Sequence, residues 1–342
     1  MAQAASRGTI LVTGGAGYVG SHACKALAAA GYQPIVYDNL CRGHRAAVRW
    51  GPLVTGDLQD TVLLTDTLRT HLVAAVMHFA ALANVGEAVG DPEAYYRINV
   101  GGTLSLLSAM REAGVAQLVF SSTCAVYGIP SRVPIDETTP LMPVNPYGET
   151  KLAVEKTLHW YGQAYGLRSV ALRYFNAAGA SPDGDIGENH DPETHLIPLA
   201  IRAALEGAAP VHVYGTDYPT PDGTAVRDYV HVSDLAEAHV SALAYLLEGG
   251  TGTPLNLGTG QGHSVRAVIE AIERVSGRAV PQQHAPRRAG DPPALVADAK
   301  RANSVLGWNP RHSDLDNIVG TALRWHTRSE APAPASHAEQ AA

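Results

Sequence analysis

Apolar residues along this chain fall into short, mostly β-branched runs that alternate with longer stretches of helical period. Residues 9–13, 35–37, 53–55, 74–79, 117–120 and 169–173 are runs of the kind that form strands buried on both faces. Helices are predicted between them, from the glycine-rich turn after residue 13 to about residue 30, from 92 to 113, and onward from Asn145. The alternation predicts an α/β fold organised as a doubly wound parallel sheet. After Asn176 the rhythm loosens into a long Gly-, Asp- and Pro-rich loop over 177–193. A helix near 196–205, a strand near 211–214, a loop over 216–224, a helix from Ser233, a strand at 255–257 and a helix after His263 then read as a smaller C-terminal α/β unit. The predicted division is residues 8–176 and 177–328, the second interleaved with the first. From Ser329 the tail is Ala, Pro, Ser and Glu without apolar period, and is predicted to be disordered.

Composition narrows the function classes. With 342 residues, 46% hydrophobic and 17% charged, the chain has enough apolar material for a large core. A net charge of −7, with basic residues scattered, argues against nucleic acid as the principal partner. No apolar run reaches the ~18 residues of a membrane span, and the first eight residues carry no hydrophobic signal core. Cys24, Cys41 and Cys124 form no paired framework, which fits a reducing compartment. The expectation is a cytoplasmic enzyme.

The first strand runs directly into Gly14-Gly15-Ala16-Gly17-Tyr18-Val19-Gly20, then a helix, then a second strand that ends on Asp38. Strand, glycine loop, helix, strand and acid in this order bind a dinucleotide. Gly14 allows the tight turn, Gly17 lets the backbone approach a pyrophosphate, and Gly20 lets helix pack on strand. The helix N-terminus offers N–H donors to phosphate, and Asp38 stands where it would accept ribose hydroxyls and repel a 2′-phosphate, which favours NAD over NADP. Asp57, after the third strand, either reaches the adenine or caps the helix that follows. Ala80-Ala81 after the fourth strand are small enough to lie against a cofactor. Asn99 falls inside a helical stretch, where it is either exposed or turned inward to organise the site. The hydroxyl run Ser121-Ser122-Thr123 ends the fifth strand and points at the crevice where ligands of such sheets bind.

Asn145-Pro146-Tyr147 has the cap-then-proline signature of a helix start, and a helix from there puts Tyr147 and Lys151 on one face. A phenol with a pKa near ~10 is no base at neutral pH, but a neighbouring ammonium favours its phenolate, and an ammonium together with a cationic nicotinamide does so more.

These motifs together resemble the extended short-chain dehydrogenase/reductase family: Gly-x-x-Gly-x-x-Gly, an acid-ended second strand, Ser-Ser-Thr and Tyr-x-x-x-Lys. The likeness to its nucleotide-sugar epimerases spans about Thr9 to Trp325 and includes Tyr37-Asp38-Asn39-Leu40, His78-Phe79-Ala80-Ala81, Val126-Tyr127-Gly128, Arg173-Tyr174-Phe175-Asn176, Arg227-Asp228-Tyr229-Val230-His231 and Pro286-Arg287-Arg288-Ala289-Gly290-Asp291. The resemblance implies a Rossmann-like fold, tightly held NAD, and reversible inversion at C4 of a UDP-sugar, UDP-glucose and UDP-galactose, through a 4-keto sugar. It implies catalysis by Tyr147 as base, Thr123 as relay and Lys151 as holder of the cofactor ribose. Tyr18, Val19, Asn39, Leu40, Leu58, Phe79, Asn99 and Phe175 would join the glycines, Asp38, Asp57, Ala80 and Ala81 around NAD. Asn176, His195, Leu196, His212, Val213, Tyr214, Arg227, Arg288 and Asp291 would hold the sugar nucleotide, the two arginines on the diphosphate and Asp291 on the uridine ribose. A homodimer through the helices at 92–113 and 147–166 is implied as well.

Two departures stand out. Ala83 occupies a position where the family often has Lys, beside the cofactor diphosphate, and Leu295 one whose bulk influences whether an N-acetylated sugar fits. N-acetylhexosamine and pentose substrates stay open. A 4,6-dehydratase of the same fold needs an acid–base pair after Thr123, and Cys124-Ala125 supply none. A nucleotide-sugar decarboxylase is not signalled. A catalytically silent binding protein would be expected to lose Tyr147 or Lys151. The segment His190-Asp191-Pro192-Glu193-Thr194-His195 is read as solvated or capping, with no metal, and Cys124 as packing.

Overall fold

Residues 7–206, 209–288 and 290–329 are described by a computed structural model of the chain. The predicted tail therefore lies outside the described residues from 330 onward, and residues 1–6 of the N-terminus do too. The first half alternates as expected: β1 (Thr9–Thr13), α1 (Tyr18–Ala29), β2 (Gln33–Asp38), β3 (Leu53–Thr55), α2 (Thr61–Thr70), β4 (Val73–His78), α3 (Val85–Gly90), α4 (Pro92–Tyr95), α5 (Gly102–Ala113), β5 (Gln117–Thr123), α6 (Pro146–Tyr165) and β6 (Arg168–Tyr174). The second half runs β7 (Asn176–Ala178), α7 (Leu196–Glu206), β8 (Val211–Tyr214), β9 (Val226–Arg227), β10 (Tyr229–His231), α8 (Val232–Leu247), β11 (Thr253–Leu257), β12 (His263–Ser264), α9 (Val265–Ser276), β13 (Gln282–Ala285), β14 (Ala294–Leu295), α10 (Lys300–Leu306) and α11 (Leu315–Ser329).

Seven strands form one sheet in the order β11-β6-β5-β4-β1-β2-β3, parallel at every pairing. The order reverses between β1 and β4. That switch point opens a crevice beyond the strand ends, where the glycine turn after β1 meets the loop after β4. Helices cover both faces. Ala23 and Leu27 of α1 pack with Leu235, Ala242 and Leu246 of α8 on one side. Leu64, Leu68, Leu106, Met110, Val154 and Leu158 of α2, α5 and α6 fill the other. Each fully buried Leu contributes roughly 1.5–3 kcal/mol. A separate core joins α7, α9, α11 and β8 in the smaller unit. Two elements of the second half, α8 and β11, belong to the large sheet: β11 pairs with β6, and α8 packs on α1.

Local chemistry sets α6 where the sequence placed it. Asn145 Oδ1 accepts from the Gly148 N–H at 2.9 Å, Pro146 opens the first turn, and Gly166 ends the helix at φ +72°. The helix expected over 92–113 is instead interrupted: residues 96–101 form a π-helical turn between α4 and α5. The wide turn rotates Asn99 inward, where it is 2% exposed. Asp57 does not cap α2. Asp60 does so, through the Leu63 N–H, while Asp57 accepts from Asn39 Nδ2 and its own loop.

Candidate active site

A cleft of about 1360 Å³ runs from the β1 turn to the smaller unit and is walled by the ends of β4, β5 and β6. At its first end the glycine loop is sterically compulsory. Gly14 has φ +73°, and a Cβ there would lie 2.5 Å from the Ala80 nitrogen; a Cβ on Gly20 would lie 2.2 Å from the Gly14 oxygen. At Gly17 the same Cβ would meet only the Gly14 oxygen, at 3.3 Å, and otherwise project into open space. Gly17 is also the N-cap of α1, with no side-chain cap and no acid in the first turn. Free N–H groups and the positive end of the helix dipole are thus left for an anion. Asp38 is held rigidly, accepting from the Ala16 and Leu40 N–H groups at 3.0 and 2.8 Å. An open face at Gly17, an uncapped helix and a fixed carboxylate at the next strand end fit a dinucleotide with free ribose hydroxyls.

In the middle of the cleft stand Thr123, from the end of β5, and Tyr147 and Lys151, one turn apart on α6. Lys151 is 3% exposed; its Nζ donates to the Ser121 carbonyl at 2.8 Å and lies 5.9 Å from the centroid of the Tyr147 ring. Burial lowers the Lys151 pKa to about 7 against a smaller upward pull from Glu155. Burial likewise raises the Tyr147 phenol, with Tyr174 adding to the rise and a hydrogen bond to Thr123 opposing it. The expectation that the ammonium would pull the phenol down is therefore not met by this pair alone. Desolvation disfavours both charged forms, so positive charge arriving with a ligand is needed to favour phenolate. Cys124 is packed and its thiol is pushed up to about 12 by burial, so it is neither acid nor nucleophile at neutral pH.

The far end belongs to the smaller unit. His212 and Tyr214 of β8 and Leu295 of β14 line it, with the Arg288 guanidinium 3.9 Å from the Tyr214 ring centroid. Arg227 Nη2 pairs with Asp291 Oδ1 at 2.5 Å, so these two expected ligands hold each other at the rim. Against the lowering effect of burial, the hydrogen bonds that the His195 imidazole donates to the Glu188 and Glu193 carboxylates lift its pKa to about 10, and the histidines hold Glu188 near 2 despite its burial.

A family model described as the NAD dependent epimerase/dehydratase family matches residues 10–258. The chain belongs to that family. A UDP-glucose 4-epimerase of Rhizobium leguminosarum bv. trifolii is 55% identical over 321 residues, 94% of this chain and 98% of its own length. The crystal structure of UDP-glucose 4-epimerase from Brucella ovis in complex with NAD superposes with a TM-score of 0.91 at 55% identity, covering 92% of this chain and 97% of that one. A structure from Stenotrophomonas maltophila with bound NAD and formylated UDP-arabinopyranose gives 0.92 at 41% identity, over 95% and 100%.

Most expected site residues of this family member reach the cleft, from Gly14, Tyr18, Val19, Asn39, Asp57, Leu58 and Phe79–Ala81 to Phe175, Asn176, His195, Leu196 and Tyr214. Three do not line it. Leu40 packs against the core beneath the sheet, and Val213 points into the core of the smaller unit because alternate residues of β8 face opposite ways. Asn99 sits behind the wall: its amide accepts from Leu82 N–H at 2.8 Å and donates to Leu82 O and Thr150 Oγ1, tying the loop after β4 to α6. The sequence reading missed Tyr174 as a wall residue; its hydroxyl is 2.6 Å from Ser121 Oγ and joins β5 to β6 beside Tyr147. Its place at the C-terminal end of a sheet strand was the available signal.

Proposed function

We propose that this chain interconverts UDP-glucose and UDP-galactose by inverting C4, with NAD retained in the cleft. The observation that carries the reading is the convergence of the uncapped glycine loop, Thr123 and Tyr147 on one cleft whose far wall bears Tyr214 and Arg288. Bound NAD supplies the hydride acceptor and donor together with positive charge beside the phenol. The chain's own residues manage protons and position. Tyr147 takes the proton from the sugar 4-hydroxyl through Thr123 and returns it after the 4-keto sugar has turned over. Lys151, donating from within the wall, fixes the cofactor ribose and leaves Tyr147 to carry the proton. Arg288 holds the diphosphate, and Arg227 and Asp291 open their mutual pair to meet diphosphate and uridine ribose. Residues 177–328, less α8 and β11, form the unit that grips the nucleotide. Exposed Tyr96, Leu104, Trp160 and Tyr165 lie on the segments expected at a homodimer seam. The reducing environment expected from three free cysteines fits a cytoplasmic protein; no helix among the described residues is long and apolar enough to cross a membrane.

The test is an NMR assay of purified protein with UDP-galactose and no added NAD. UDP-glucose is the expected product. A stable keto-deoxy sugar would instead indicate a dehydratase. Conversion of UDP-arabinose but not UDP-galactose would move the reading to a pentose epimerase, which the open cleft beside Leu295 also admits. No turnover of these or of N-acetylated UDP-sugars, even with NAD added, would leave a nucleotide-binding protein.

A further inference from the structure

The loop between β7 and α7 holds a cluster at the edge of the cleft that the proton chemistry proposed above does not use, although His195 is among the residues expected near the sugar nucleotide. Glu188, His190, Glu193 and His195 each present one ligand atom, and these atoms all lie within 4.8 Å of one another. His195 Nδ1 is 2.7 Å from Glu188 Oε1 and 2.9 Å from Glu193 Oε1. His190 Nδ1 is 3.0 Å from Glu188 Oε1 and 3.9 Å from Glu193 Oε2. The segment's place in a loop or at a helix start leads to the expectation of solvated or capping side chains. The fold instead buries the two carboxylates, whose side chains are 6% and 2% exposed, and recruits Glu188 from outside the segment.

Glu193 Oε2 is buried without a hydrogen-bond partner, while its other oxygen accepts from the Thr194 and His195 N–H groups. A buried, unmatched carboxylate oxygen is strongly disfavoured unless something positive faces it. His190 Nδ1, at 3.9 Å, is too far for a hydrogen bond to it and is engaged with Glu188 Oε1. Once both imidazoles are deprotonated, as ligation requires, the cluster carries a charge of −2, which a divalent cation balances.

We propose that Glu188, His190, Glu193 and His195 hold a divalent transition-metal ion, zinc being the ion this donor set suits best. Two imidazole nitrogens with two carboxylate oxygens is a zinc-type set, whereas calcium and magnesium take oxygen ligands. Zinc bonds of roughly 2.0–2.1 Å on a tetrahedron put donor atoms ~3.3 Å apart, inside the span observed here. Four protein ligands close the coordination sphere, so the ion is structural. It fastens the loop to the start of α7 and lies beside the cofactor loop: the His190 ring meets the Tyr18 ring edge-on at 6.1 Å, and the Glu188 carbonyl accepts from Trp325 Nε1 at 2.8 Å. Binding displaces the protons that otherwise occupy the cluster. The proposal is independent of which sugar is turned over.

The experiment is elemental analysis of untagged protein after incubation with zinc and exhaustive dialysis, followed by chelator stripping and reloading with Co²⁺. One zinc per chain and the visible absorption of tetrahedral cobalt are expected, with unfolding at lower temperature after stripping. A folded His190→Ala/Glu193→Gln double variant should bind neither ion. If that variant fails to fold, X-ray absorption of the zinc-loaded wild type decides, with two imidazole nitrogens and two oxygens expected. Only trace zinc on the wild type, an unchanged zinc content in the folded double variant, or sulfur in the coordination shell would overturn the assignment.

Discussion

Two buried cations lie close together around α6, and their surroundings differ sharply. Arg173 donates to both oxygens of Glu155, at 2.9 and 2.5 Å, and to the Tyr127 hydroxyl at 2.9 Å; Ser122 Oγ also donates to Glu155. Its side chain is 4% exposed and its charge fully matched. Lys151, one turn before Glu155, has a single carbonyl partner and the face of Phe120. Burial therefore lowers its pKa to about 7, whereas the Glu155 carboxylate outweighs burial at Arg173 and raises its pKa. The paired cation fixes α6 against β5 and β6. The unmatched one stores an unfavourable charge at the cleft wall, where a ligand can use it. Strain of this kind is tolerated in an active site because the paired network next to it keeps the frame rigid.

The largest effect is expected on the cleft side. Tyr147→Phe removes the proposed proton carrier and keeps the ring; kcat should fall on the order of 10²–10⁴-fold with the fold intact, read by the UDP-galactose assay together with circular dichroism. Retained turnover would dismiss Tyr147 as base. On the frame side, Arg173→Met leaves Glu155 buried and unmatched. Denaturant unfolding should show a loss of about 3–5 kcal/mol, far larger than for a surface ion pair.

Lys151→Met should behave in the opposite sense. The folded Lys151 pKa is about 7 against an ordinary 10.5, so the unfolded chain binds more protons between those values. The cost of burying Lys151 is thus full below pH 7 and is relieved as pH rises from about 7 to 10.5. Relative to wild type, the Met variant should be most favoured near pH 6.5 and lose that advantage toward pH 9.5. Paired unfolding curves at the two pH values measure it, and a pH-independent difference would mean that Lys151 is not desolvated in the folded protein.

The smallest effect concerns His78, which bridges Thr13 and Thr103 at 2.7 and 2.9 Å under the sheet ends and whose pKa is lowered to about 3 by burial and by Lys151. The unfolded chain binds the extra proton between pH 6.5 and 3, so this contribution is complete above 6.5 and is lost as pH falls. His22, His231 and His239, each lowered to about 4 chiefly by burial, share the trend. Stability should decline by roughly 1–2 kcal/mol per such histidine between pH 6.5 and 5, and His78→Gln should make that slope shallower by one histidine's share.

What the sequence determined by itself was local and periodic. Strand runs, the glycine turn, Asp38 at the end of β2 and the capped start of α6 were legible because backbone sterics and capping act within a few residues. The Tyr147–Lys151 spacing followed from helix geometry, and the order of elements led to the parallel sheet. Tertiary structure alone decided matters that depend on burial and on contacts between distant segments. It turned Asn99 inward through a π-helical turn and sent Val213 to the core. It matched Arg173 with Glu155, raised the Tyr147 phenol that the sequence reading expected to fall, and gathered Glu188 with His190, Glu193 and His195. Desolvation is a property of the folded interior, and no spacing along the chain encodes it.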